Sequence, residues 1–277
     1  MKYLPLVAML AGVLLAGCGI VKKDSAAGRI AGMQEAANPQ VLLLGEVHDN
    51  PQGHKLRFEE LKKRVDAGWR PVVAMEQFDH EDQVLLDEAQ KGCVDAGCLI
   101  RVMNKKGWDW QQYYPVIGLA LDKHLPIVAV NLSRANASKV VRDGVASSFD
   151  PKTVAEYRLG EPISADWRKA QESEIRAGHC NMLPDMMVPG MVDAQMARDI
   201  WMAKLIRDQQ PRDVVLIAGN GHVRKDIGVP RWLDTVGARL TVKAVGYVEG
   251  GGMKAQFDEV RPIPAQKRAD PCAKFKK

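Results

Sequence analysis

Leu42-Leu43-Leu44-Gly45-Glu46-Val47-His48-Asp49-Asn50-Pro51 is the stretch that decides the fold. An apolar run of strand character stops at a glycine, and a carboxylate, an imidazole and an Asn-Pro helix start follow at once. A strand that feeds directly into a helix is the unit of an open α/β sheet, where ligands bind beyond the carboxyl ends of the strands. Glu46 and His48 stand at that end. Both are proton carriers and metal ligands by type, and the plainer alternative is a hydrogen-bonded polar pair within a turn.

Working outward, the same pattern recurs three times. Pro71–Gln77 is a second buried strand and carries Glu76, Pro126–Asn131 a third that ends in Asn131, and 213–218 a fourth that runs into Gly219-Asn220-Gly221-His222. Parallel strands bring these ends to one edge, which predicts a common pocket there. Between them, Pro51 opens a helix with His54, Phe58, Leu61 and Val65 on one stripe and Gly68 as its stop. His54 and His80 read as a locally bonded and a solvated histidine. His124 reads as a cap on the negative end of the helix before the third strand. Lys139–Gly178 is polar, helix-prone and punctuated by Pro151 and Pro162, which predicts a helical insertion over the sheet. Val192, Met196, Ile200, Ala203 and Ile206 predict a long helix after it. Residues 239–248 and 255–261, joined through Gly250-Gly251-Gly252, predict a C-terminal β-hairpin. The expected fold class is therefore α/β, with a mainly parallel sheet and helices on both faces.

The amino terminus reads as an address. Lys2, the apolar run Leu4–Leu15 and Leu15-Ala16-Gly17-Cys18 have the form of a bacterial lipoprotein signal, and the run is too short to span a bilayer comfortably. Cleavage leaves Cys18 as the lipid-bearing residue on a membrane face, and Gly19 after it points to the outer membrane, facing the periplasm. Residues 1–17 are thus the expected signal peptide, 18–37 a linker and 38–277 a single domain. With 39 basic against 34 acidic residues, interspersed, a net charge of +5 leaves no footprint for nucleic acid. An exported chain with Cys93, Cys98, Cys180 and Cys272 predicts two disulfides, most simply Cys93 with Cys98 and Cys180 with Cys272, out of three possible connectivities. A four-thiolate zinc site is the alternative, and no Cys-x-x-Cys supports it.

Two further clusters carry chemistry. Trp108-Asp109-Trp110 with Tyr113 and Tyr114 is core or lid by type, yet phenols are also hard ligands for ferric iron. Six of the twelve methionines lie between Met182 and Met202, beside His179 and two prolines. Met196 fits the core, whereas Met182, Met186 and Met187 suit a flat apolar ligand or an interface.

Gly45-Glu46-Val47-His48-Asp49-Asn50, Met75-Glu76-Gln77-Phe78, Tyr114-Pro115, Val130-Asn131-Leu132 and Gly219-Asn220-Gly221-His222-Val223-Arg224 together resemble the ChaN family of haem-binding lipoproteins, in the haem-uptake and Tiki-like superfamily with the erythromycin esterases. The resemblance implies a lipoprotein that binds haem for uptake, in a haem-linked homodimer, with receptor or transporter components as further partners. It implies a tyrosine ligand, for which Tyr114, Tyr113 and Tyr157 are the candidates, and a histidine, for which His179 is the choice. Met182, Met186 and Met187 would cover the porphyrin, Arg134 and Arg224 would meet the propionates, and Asn131 and Asn220 line the pocket. The rival reading is a hydrolase in which Glu46, His48, Glu76 and His222 activate water, directly or through a divalent metal.

Overall fold

The computed structural model describes residues 38–250, 252–270 and 272–273. The signal, the linker and Cys18 lie outside the described residues. Asn38–Lys277 forms one compact unit. Its centre is a six-stranded sheet built from β1 (Val41–Glu46), β2 (Val72–Asp79), β3 (Ile127–Asn131), β4 (Val214–Gly219), β5 (Val242–Glu249) and β6 (Glu259–Ile263). The order is β3-β2-β4-β1-β5-β6, and every pairing is parallel.

The expected C-terminal hairpin is corrected here. β5 and β6 run parallel, with Val245 opposite Glu259 and Glu249 opposite Ile263, so the chain doubles back between them instead of turning tightly. A short 3-10 turn at Lys254–Gln256 occupies that return, and Phe257 packs on Gly246, where a Cβ would come within 2.8 Å of the ring. The glycine run signals a change of direction equally well for a hairpin or for a crossover.

Parallel strands buried on both faces read as continuous apolar runs. Along β1, Val41 and Leu43 face one core cluster and Leu42 and Leu44 the other. Each fully buried leucine contributes roughly 1.5–3 kcal/mol. The helices segregate in the same way. One face carries α1 (Pro51–Asp66), α2 (Gln83–Gly92), α3 (Ala96–Met103) and α4 (Trp110–Asp122). The other carries α5 (Arg134–Asp143), α6 (Pro151–Glu156), α7 (Ala165–Gly178), α8 (Val188–Arg207), α9 (Asn220–Val223) and α10 (Val229–Leu233). Adjacent β1 and β4 therefore send their helices to opposite faces, which opens a crevice between their carboxyl ends.

Local signals hold where they were strongest. Asn50 caps α1 by accepting from the Gly53 N–H at 3.0 Å, with Pro51 in the first turn. His124 sits left-handed after α4. His80 is not solvated, because its ring stacks on Trp201 at 3.9 Å. Both disulfides have the first-named pairing, Cys93 with Cys98 and Cys180 with Cys272. The tail before Cys272 is tied down across strand ends: Arg268 bonds Asp49 and Glu249, and the Asn50 amide donates to the Pro264 carbonyl at 2.7 Å.

Candidate functional site

Glu46, the last residue of β1, is completely enclosed and accepts from several donors. Tyr113 O–H (2.5 Å), His48 Nδ1–H (2.8 Å) and the Gln77 amide (3.3 Å) share Oε1, and Arg57 faces Oε2 as an ion pair. Arg57 is fully buried on the inner stripe of α1, and burial lowers its pKa to about 10, still a cation at neutral pH. Its second arm donates to His54 Nδ1 at 2.9 Å, which leaves His54 Nε2–H to donate to the His48 carbonyl at 2.9 Å. Burial lowers the pKa of His54, in keeping with that neutral tautomer.

A second network lies across the crevice. Glu76 accepts the Gly219 N–H at 2.7 Å and faces His222 Nε2 at 3.5 Å, while His222 Nδ1–H donates to Asp199 of α8 at 2.6 Å. Burial opposes the charged forms, but Glu76 and Asp199 outweigh it on His222 and raise its pKa to about 10. The imidazolium in turn outweighs burial on Glu76 and lowers it to about 2, whereas burial prevails on Asp199 and raises it to about 6. Arg198, the neighbour of Asp199, adds a third cation beside Glu76. Three carboxylates thus meet three cations. Gly219 is required at the junction, since a Cβ there would come within 2.9 Å of His48 Nε2.

The group open to solvent is His48, whose side chain is 46% exposed and edge-on to Trp108 at 5.1 Å. With Nδ1 held by Glu46, its Nε2 points free, 4.0 Å from Glu76. Such a carboxylate-oriented imidazole can take a proton from water. A divalent metal does not fit these residues. Both Glu46 oxygens and both Glu76 oxygens face protein donors, the local charges already balance, and no group of three or more His, Cys, Asp or Glu among the described residues is placed to hold an ion.

The structure brings together Glu46, His48, Glu76 and His222, and of the expected haem ligands only Tyr113 joins them. Tyr113 is corrected from ligand to core: its ring is buried and its hydroxyl bonds Glu46. Tyr114 lies half-exposed on α4, on the face opposite α7 and α8, and Tyr157 is buried after α6. Arg224 is corrected too, because Glu174 and Asp226 already pair with it. Asn131 donates weakly to Asp79 at 3.4 Å, Asn220 donates to the Tyr247 carbonyl at 2.7 Å, and Arg134 is exposed at the start of α5.

His179 stands on the turn after α7. Its Nδ1 bonds the Ile175 carbonyl at 2.7 Å and leaves Nε2 outward. Met182, Met186 and Met187, 57, 88 and 45% exposed, follow on the same loop. Cys180 and Asn181 both adopt left-handed backbone angles, at φ 60 and 55°, and the Cys272 disulfide together with the Arg176–Asp185 pair at 2.7 Å holds the loop.

Arg57, Asp199 and Arg198 of the crevice were not among the sequence candidates. Arg57 lies three positions after His54 on a buried stripe, and Asp199 lies three after Met196 on another. A charge at a core position of a helical stripe is the signal that reveals both.

Comparison with known proteins adds four findings. A solved structure of cofacial haem binding to ChaN of Campylobacter jejuni matches with a TM-score of 0.65 and 22% identity, over 80% of this chain and 86% of that one. An erythromycin esterase mutant in its open conformation is more distant, with a TM-score of 0.41 and 13% identity over 77% of this chain and 71% of that one. No curated protein matches. The model of the family described as haem-binding uptake, Tiki superfamily, ChaN, matches residues 32–233, so the chain belongs to the ChaN family.

Proposed function

We propose that this chain binds haem for uptake, on the surface formed by His179, Met182, Met186 and Met187, as a lipoprotein held by Cys18 to the outer membrane and facing the periplasm. The observation that carries the function is the family match over residues 32–233. The placement rests on chemistry. A porphyrin needs a broad apolar contact and an outward ligand, and the loop offers three exposed thioether side chains beside an imidazole whose free nitrogen faces solvent. The strand-end crevice presents His48 Nε2 outward but, among the described residues, no exposed large apolar side chain beside it, and its other groups bond one another.

Haem supplies an iron that accepts axial ligands and a flat apolar disc. His179 of one chain would lie next to it, and Tyr114, a half-exposed phenol on the opposite face of the sheet, can reach the same haem only from a second copy. Haem binding therefore goes with dimerisation, and receptor or transporter components would take the haem from that dimer. A haemin titration followed by absorbance and by mass in solution tests this, with His179→Ala and Tyr114→Phe locating the ligands. No saturable binding would remove the reading.

One observation favours a second role for the crevice. The Glu46–His48 pair presents a solvent-facing general base without a metal. A hydrolase screen in which turnover vanishes in His48→Ala would support it, and an unchanged background would end it.

A further inference from the structure

Away from the strand ends, loop 157–163, the middle of α8 and α10 line an open cleft of about 330 Å³. Leu159, Pro162, Ile163, Met196 and Trp232 make its wall apolar. Arg158, Glu161, Arg231, Asp234 and Thr235 interrupt that wall, beside Tyr157. The Tyr157 hydroxyl makes no hydrogen bond to a described residue, although the residue is only 3% exposed. A ligand acceptor in the cleft would pair with the Tyr157 hydroxyl. Burial raises the Tyr157 pKa, so the phenol stays neutral and able to donate. The loop that carries it is fixed by backbone bonds, Leu159 N–H to Val154 and Glu161 N–H to Arg158, both at 3.0 Å.

Arg231 and Asp234 also border a neighbouring cleft of about 600 Å³, which holds Lys225 and Arg239. Lys225 is neutralised by Asp258 at 2.6 Å. The Arg231 guanidinium lies over the Trp167 ring at 5.7 Å, and neither it nor Arg239 has an ion-pair partner among the described residues. Along the two clefts Arg158, Arg231 and Arg239 outnumber Glu161 and Asp234 by one. The result is a trough with an apolar end and a cationic end.

We propose that this trough is a binding site for a small amphipathic organic monoanion, its apolar body in the Tyr157–Trp232 cleft and its acid group between Arg231 and Arg239. The size suits a ligand at the small end of the usual pocket range of about 300–1,000 Å³. The single excess positive charge distinguishes its ligand from haem, which carries two propionates.

Anilinonaphthalene sulfonate is the probe, read by energy transfer from tryptophan in the purified protein, with decanoate as competitor and a haemin titration alongside. The expected result is one saturable site displaced by decanoate, weakened about tenfold in Arg231→Glu and about threefold in Tyr157→Phe, with haemin binding unchanged in Arg231→Glu. Binding that ignores both variants overturns the proposal. So does one-for-one displacement of the probe by haemin, which would make the trough the haem site. A protein that takes up no haemin but keeps the probe site would overturn the haem reading alone.

Discussion

At the strand ends, Glu46 faces Arg57 and Glu76 faces His222, each beneath the surface and each bonded to further protein groups. On the loop between α7 and α8, His179 has one nitrogen outward and Met186 is 88% exposed, with no described residue laid over it. The first region has the residue types of an active site and uses them to hold itself together. The second has the residue types of a core and leaves them open. Unmet interaction capacity marks a ligand surface better than chemical versatility does, because a buried charge that is already paired has little left to offer.

The comparison breaks most visibly at Arg57. Arg57→Leu leaves Glu46 buried without its cation, and should lower unfolding stability by about 3–5 kcal/mol in urea while the folded fraction binds haemin as before. Gly219→Ala should come next, at about 1–3 kcal/mol, because its methyl would push the His48 ring and part β1 from β4.

The pH dependence sharpens the same contrast. His222 has a folded pKa raised from 6.5 to about 10, so its contribution is fully present below 6.5 and is lost as pH rises through about 10. Glu76, lowered from 4.5 to about 2, contributes above 4.5 and loses that contribution as pH falls through about 2. Stability measured from pH 6 to 10 should therefore decline in the native chain and flatten in His222→Gln, with Asp199, Arg198 and His48 as the other groups facing the pair. The smallest effect belongs to the loop: Met186→Ser should leave stability within about 0.5 kcal/mol and weaken haemin two- to threefold, roughly the loss of one methylene's contact.

Much of the crevice was legible because strand ends announce themselves. An apolar run closed by a polar residue, with a glycine at β1 and β4, places Glu46, Glu76 and His222 at one edge. Arg57 and Asp199 were less legible since helical stripes are read for their apolar members, and the partner that makes a buried charge tolerable lies far away in sequence. The β5–β6 return failed for a different reason: turn residues report where the chain changes direction and carry no information on whether the next strand pairs parallel or antiparallel. The tail was similarly hidden, because Arg268 is an ordinary basic residue until Asp49 and Glu249 are brought beneath it.

The central claim is that ligand binding resides on the α7–α8 loop and structural integrity in the crevice. Haemin titration of His179→Ala beside the native chain, with urea unfolding of both, tests it most directly. His179→Ala should bind haemin at least about tenfold more weakly, or lose the haem-driven dimer, at unchanged stability. Native haemin affinity in His179→Ala would contradict it.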